Sequence, residues 1–121
     1  MTAPVTLATL LMEHPFADDE PLLFGPASTL TAGEARREAE RIAAGLRASE
    51  AQPGTAVAVQ VPDSPSLIAT MFGIRLAGAV FVPINPRYPA AEVEKVVAGT
   101  APVALITRDG DCQELCVSGV I

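Results

Sequence analysis

Three short runs rich in β-branched residues, at 57–61, 80–84 and 103–107, do most to constrain what this chain can become. Helical patterns separate them, at about 64–77 and 89–99, and a longer one at about 32–49 precedes them. Strands joined through helices of about ten to fifteen residues return to the same end of a sheet, and they do so right-handedly. The fold expected is therefore α/β, a parallel sheet with βαβ crossovers, in the order helix, strand, helix, strand, helix, strand. The run Val80-Phe-Val-Pro-Ile84 is apolar throughout, as strands covered on both faces are.

The helices carry their own punctuation. Thr31 and Glu34 fit a capping box, in which each side chain satisfies a free backbone amide at the helix start. Behind them Ala35, Ala39, Ile42, Ala43 and Leu46 share one face, while Arg36, Arg37, Glu40, Arg41 and Arg47 fall mainly on the others. Ser64 suits an N-cap and Pro65 the first helical position, where a missing N–H is no loss. The helix that follows is apolar nearly all round, so it is expected to be covered on more than one side and to need more protein than this chain supplies. Gly78 is expected to end it. Pro89 opens the next helix, with Val93, Val96 and Val97 on its inner face, and Gly99 is expected to close it.

Before this core, Leu7, Leu10 and Leu11 form one amphipathic turn ending near Pro15, and 22–24 with 28–30 read as a hairpin around Gly25-Pro26. After it come a turn at 108–111 and a weak fourth strand at 115–117. The chain reads as one incomplete domain, 1–121, with an N-terminal segment 1–29, a core 30–107 and a divergent tail 108–121.

Half of the 121 residues are hydrophobic and 18% are charged, which supports a packed core. The net charge is −6 and the basic residues are scattered, so a nucleic-acid footprint is not expected. Cys112 and Cys116 make neither a disulfide framework nor a zinc pair. Arg75 and Pro83 break the most apolar run, and the first residues lack a signal-peptide pattern, so no membrane span and a cytoplasmic location are expected.

The residues that carry chemistry are sparse. Gly73 and Gly78 have the outer spacing of a phosphate-binding Walker loop, but Ala79-Val80 stand where Lys-Ser or Lys-Thr belongs. There is no GxGxxG. His14 has no nucleophile nearby in sequence, and Lys95, the one lysine, sits among Glu92 and Glu94 as a solvated charge. No catalytic residue and no metal ligand is assigned.

From Leu30 to Thr107 the chain resembles a known family, piece by piece and in register. The capped helix from Thr31 to Leu46 resembles "T-Y-x-E-L…A-x-x-L". Pro53-Gly54 through Val59 resembles "G-x-G-D-x-V-A", and Val61-Pro-Asp-Ser-Pro65 resembles "L-P-N-S-P". Arg75-Leu-Ala-Gly-Ala-Val-Phe-Val-Pro-Ile-Asn-Pro-Arg87 is very close to "R-A-G-A-V-x-V-P-L-N-P", and 92–107 resembles "E-L-x-x-x-L-x-D-S-x-A-x-x-L-I-T". These are strings of the adenylate-forming superfamily: acyl-CoA synthetases, luciferase-like enzymes and adenylation domains of nonribosomal peptide synthesis. Asp63 stands where Asn is usual, and Ala32 where an aromatic is common.

The resemblance implies a partial N-terminal subdomain of an acyl-CoA synthetase-like fold. It implies a ligase that turns a carboxylate and ATP, with magnesium, into an acyl-adenylate and then a thioester with CoA or a carrier thiol. It also implies inactivity of this chain alone, with no cofactor bound. The family's Ser/Thr-Gly-rich loop ending in Pro-Lys-Gly, its later acidic residues and its mobile-domain lysine are not in this sequence. The expected partner is the remainder of the ligase, on the same or a separate chain. The alternatives are a docking module that self-associates or binds through exposed apolar surface, or one chain of a split enzyme. Within this piece, Asn85 and Arg87 follow a parallel strand's C-terminal end. The resemblance sets their loop near the CoA entrance, where Arg87 meets a phosphate or carboxylate. The plainer reading is a rigid turn, with Asn85 bonded to backbone and Arg87 paired with a carboxylate.

Overall fold

The computed structural model describes residues 7–49, 52–107 and 116–119. In chain order they form α1 (Leu7–Glu13), β1 (Pro21–Phe24), β2 (Thr29–Thr31), α2 (Ala32–Ala48), β3 (Ala56–Gln60), α3 (Pro65–Leu76), β4 (Val80–Pro83), α4 (Ala90–Thr100), β5 (Ala104–Thr107) and β6 (Cys116–Gly119). The expected alternation is present. The N-terminal hairpin forms as well, as an antiparallel β1–β2 pair with a register shift between Pro21 and Leu23.

The α2 capping box is complete. Thr31 Oγ1 accepts the Glu34 N–H at 3.2 Å, and Glu34 Oε1 accepts the Thr31 N–H at 2.9 Å. The Thr31 backbone bond, then its hydroxyl, and lastly the charge of Arg37 hold the Glu34 carboxyl below its ordinary pKa. At α3, Ser64 Oγ accepts the Leu67 N–H at 3.2 Å and Pro65 takes the first position. Gly78 leaves the helix at a φ of 81°, a conformation glycine adopts without a Cβ penalty.

The main sheet runs β4-β3-β5-β6. β3 is parallel to both β4 and β5, while β6 is antiparallel to β5, with Leu105 opposite Ser118. The chain thus has a fourth strand, but one that turns back on the sheet instead of extending it by another crossover. The turn expected at 108–111, and Cys112, lie outside the described residues.

β3 steps to β4 on one side and the chain then crosses back over β3 to β5. Right-handed crossovers in opposite directions place α3 and α4 on opposite faces. On the α3 face, Val57, Val59 and Val61 of the β3 region join Ile106, Ile74, Ile42 and Leu46 in one buried cluster. A second cluster forms where Leu11 of α1 meets Ala35 and Ala39 of α2, with Phe72 and Leu22 against it.

Two expectations about the helices need correcting. The apolar helix α3 does not wait for outside protein. α2, α1, β4 and both hairpin strands lie against it, and among its large apolar residues Ile68 alone is exposed, at 38%. Its close approach to α2 depends on Gly73, where a Cβ would stand 2.7 Å from the Ala39 carbonyl oxygen. Gly99 does not end α4. The helix runs on to Thr100, and Ala101 takes the left-handed position at a φ of 46°. Val93, Val96 and Val97, expected on an inner face, are only half-buried, and α4 has no buried residue.

β4 forms one edge of the sheet, so the run 80–84 is not covered on both faces as expected: Val80 is 43% exposed. Val80 and Ile84 donate their N–H groups to Thr55 and Val59 carbonyls, each at 2.8 Å, and the Ala79 N–H is taken by the Ile74 carbonyl at 3.1 Å. No helix among the described residues is long and apolar enough to cross a membrane.

Candidate functional site

The helices that follow β3 and β4 leave to opposite faces, so a crevice opens between the C-terminal ends of these neighbouring strands. Open α/β sheets bind ligands in such a crevice. Here it is a cleft of about 570 Å³, lined among others by Val61, Pro62, Asp63, Ile84, Asn85 and Arg87. Both sequence-predicted site residues, Asn85 and Arg87, therefore lie on one cleft.

The loop that carries them is stiff for identifiable reasons. Asn85 Oδ1 accepts the Arg87 N–H at 2.9 Å, and the Asn85 carbonyl accepts the Tyr88 N–H at 3.0 Å. Pro86 and Pro89 fix φ on either side. Gln60, at the end of β3, sends its Nε2 to the Asn85 and Tyr88 carbonyls at 3.3 and 3.4 Å. The backbone role expected for Asn85 is present. The carboxylate partner expected for Arg87 is not: among the described residues the ion pairs are Arg36–Asp18, Arg41–Glu38 and Lys95–Glu92. Arg87 is exposed, and its guanidinium is left for solvent or a ligand.

Two polar residues of this neighbourhood escaped the sequence reading. Asp63 was legible only as a departure from a motif, yet it lines both the cleft and an adjoining apolar groove beside Phe24 and Pro65. Gln60 had a faint signal, a lone polar side chain closing the apolar run Val57-Ala-Val. Lys95 pairs with Glu92 at 3.2 Å on an exposed face. His14 serves structure. Its Nδ1 lies 3.2 Å from the Phe16 N–H and 3.0 Å from Arg36 Nη2, and a guanidinium can only donate.

A nucleoside triphosphate needs free amides at a helix start, or a lysine, to meet its phosphates. Of the nearby helix starts, those of α2 and α3 are capped by side chains, whereas α4 begins at Pro89 without one. Ser64 takes the Leu67 amide, Pro65 has no N–H, and Thr31 with Glu34 closes α2. No group of three or more His, Cys, Asp or Glu gathers for a metal ion among the described residues. The lining of the cleft has no lysine and a single carboxylate, Asp63. The cleft offers one cation, Arg87, to an anionic or polar ligand.

The comparisons with known proteins bear on the parallel α/β unit as a whole. The chain belongs to the AMP-binding enzyme family, whose model matches residues 13–120. It is 35% identical over 99 residues to pyochelin synthetase PchE of Pseudomonas aeruginosa, covering 82% of this chain and 7% of that protein. To feruloyl-CoA synthase of Amycolatopsis sp it is 39% identical over 79 residues, 65% of this chain and 16% of that protein. The chain thus spans a small fraction of the relatives it matches. In fold it is similar to the anthranilate CoA ligase AuaEII, with a TM-score of 0.78 at 24% identity over 87% of this chain and 20% of that one. The N-terminal subdomain of NpsA from Klebsiella oxytoca superimposes with a TM-score of 0.71 at 25% identity, over 85% of this chain and 27% of that one.

Proposed function

We propose that this chain is the opening α/β unit of an ATP-dependent carboxylate-activating ligase, and that it catalyses nothing alone. It supplies scaffold and one wall of an acceptor entrance, where Asn85 shapes the loop and Arg87 meets an anionic group of coenzyme A or of a carrier-bound thiol. The adenylation chemistry, with ATP and magnesium, belongs to residues outside this sequence, carried on the same or another polypeptide. The observation that carries this reading is the family match along 13–120, combined with a cleft that no lysine lines. Likeness to a feruloyl-CoA synthase favours coenzyme A as acceptor, and likeness to a pyochelin synthetase favours a carrier-bound thiol. The test is carboxylate-dependent exchange of labelled pyrophosphate into ATP by the 121-residue chain, with aryl, acyl and amino acids in turn. No exchange is expected with any of them, and exchange with one would overturn the inactivity.

A second reading, a docking module, draws on the apolar groove beside Phe24, which is 73% exposed. Sedimentation of the pure chain as a single 12.5 kDa species would weigh against self-association through that groove.

A further inference from the structure

We infer that Gln60 is a positioning residue for Arg87: its carboxamide clamps the 85–88 turn to the end of β3 and so sets where the guanidinium stands over the cleft. The inference rests on the reading of this loop as part of an acceptor entrance.

The two bonds made by Asn85 give the turn its shape, but both are internal to it. They do not say where the turn sits relative to the sheet. Two contacts do that. One is the Ile84 N–H to the Val59 carbonyl at 2.8 Å, just before the turn. The other is Gln60, which reaches the carbonyls at both ends of the turn, Asn85 and Tyr88. A carboxamide nitrogen carries two hydrogens and accepts nothing, so one Nε2 can serve two carbonyls at once.

Few side chains could replace it. Glutamate would set acceptors against acceptors, leucine would offer no donor, and asparagine is one methylene shorter. Gln60 is itself held, because β3 pairs it with Thr107 of β5 and leaves it half-buried. The clamp thus ties the loop to the strand at the centre of the three-stranded parallel ladder. Arg87 makes no ion pair among the described residues, so its backbone position is what aims it.

The experiment compares the full 121-residue chain with Gln60→Glu and Gln60→Leu by nitrogen-15 NMR. Exchange at the Arg87 and Tyr88 amides is expected to quicken about tenfold in both variants, as for the loss of weak hydrogen bonds, with the Ile84 amide unchanged. Unchanged rates at Arg87 and Tyr88 would overturn the inference. So would an equal acceleration at Ile84, which would make Gln60 an ordinary strand residue. Coenzyme A is then titrated while the Arg87 Nε resonance is followed. A shift in the parent chain that disappears in Gln60→Glu supports the positioning role, and a shift of the same size in both overturns it while leaving the acceptor reading intact. If coenzyme A moves nothing in the parent but the exchange difference is present, the clamp stands and the acceptor reading falls.

Discussion

The α3 face and the α4 face of the central sheet are built from the same strands and packed to different depths. Beneath α3, Val57, Val59 and Ile106 interlock with Ile74, Ile42 and Leu46, all at 1% exposure or less. The small residues Ala39 and Gly73 let α2 and α3 approach until a methyl group would not fit between them. Beneath α4, Ala58 is covered, but Val82 and Leu105 beside it are half-buried, and so are Val93, Val96 and Val97 above. The local chemistry of the helices follows the same division. α2 and α3 begin with side-chain caps, whereas α4 begins at Pro89 with none and ends on Ala101 in a conformation that residues other than Gly and Asn rarely adopt. One face therefore holds itself closed, and the other is covered only in part.

Three substitutions measure that contrast. Ile74→Ala removes a fully buried side chain from the tighter face, and it is expected to lower the unfolding free energy by about 2–5 kcal/mol in urea titration. A loss below about 1 kcal/mol would mean the face relaxes around the gap, and the contrast would fail. Gly73→Ala drives a methyl group against the Ala39 carbonyl and the Ile42 side chain, and about 1–3 kcal/mol should be lost, with a lower thermal midpoint. A neutral or stabilising result, as helix propensity alone would give, would show that α2 and α3 can move apart. Val97→Ala, on α4, should cost less than about 1 kcal/mol, because its side chain is only partly buried. A cost equal to that of Ile74→Ala would erase the difference between the faces.

Much of this architecture was legible because its signals are local. The Thr31–Glu34 box, the Ser64-Pro65 start, the Gly78 exit and the β-branched strands each act within a few residues, and each appears where the pattern put it. What the pattern could not carry was long-range. Arg36 falls on a polar face of its helix, yet it reaches the Leu11, His14 and Phe16 carbonyls and Asp18, and so ties the N-terminal segment to α2. Periodicity describes a face relative to its own axis, not what another segment will lay on it. The cover over α3 was misjudged for that reason. Gly99 misled because a glycine near a helix end is favoured at the exit but not required there. Of the candidate site, Asn85 and Arg87 were visible through resemblance, while Gln60 became visible only once β3 and the 85–88 turn lay side by side.

The edge strand β4 has a consequence for how these molecules behave when many are unfolded or newly made. Along it, N–H groups point alternately toward β3 and away, so Phe81 and Pro83 face outward between the inward-bonded Val80 and Ile84. Proline has no N–H, and the Ala79 N–H is already spent on Ile74. A strand from a second molecule laid along this side finds a donor at Phe81 and none at the next outward position. Templated growth of the sheet into fibrils requires an unbroken row of such donors. The proline that closes β4 therefore leaves a short apolar strand at the border of the sheet without making that border a seed.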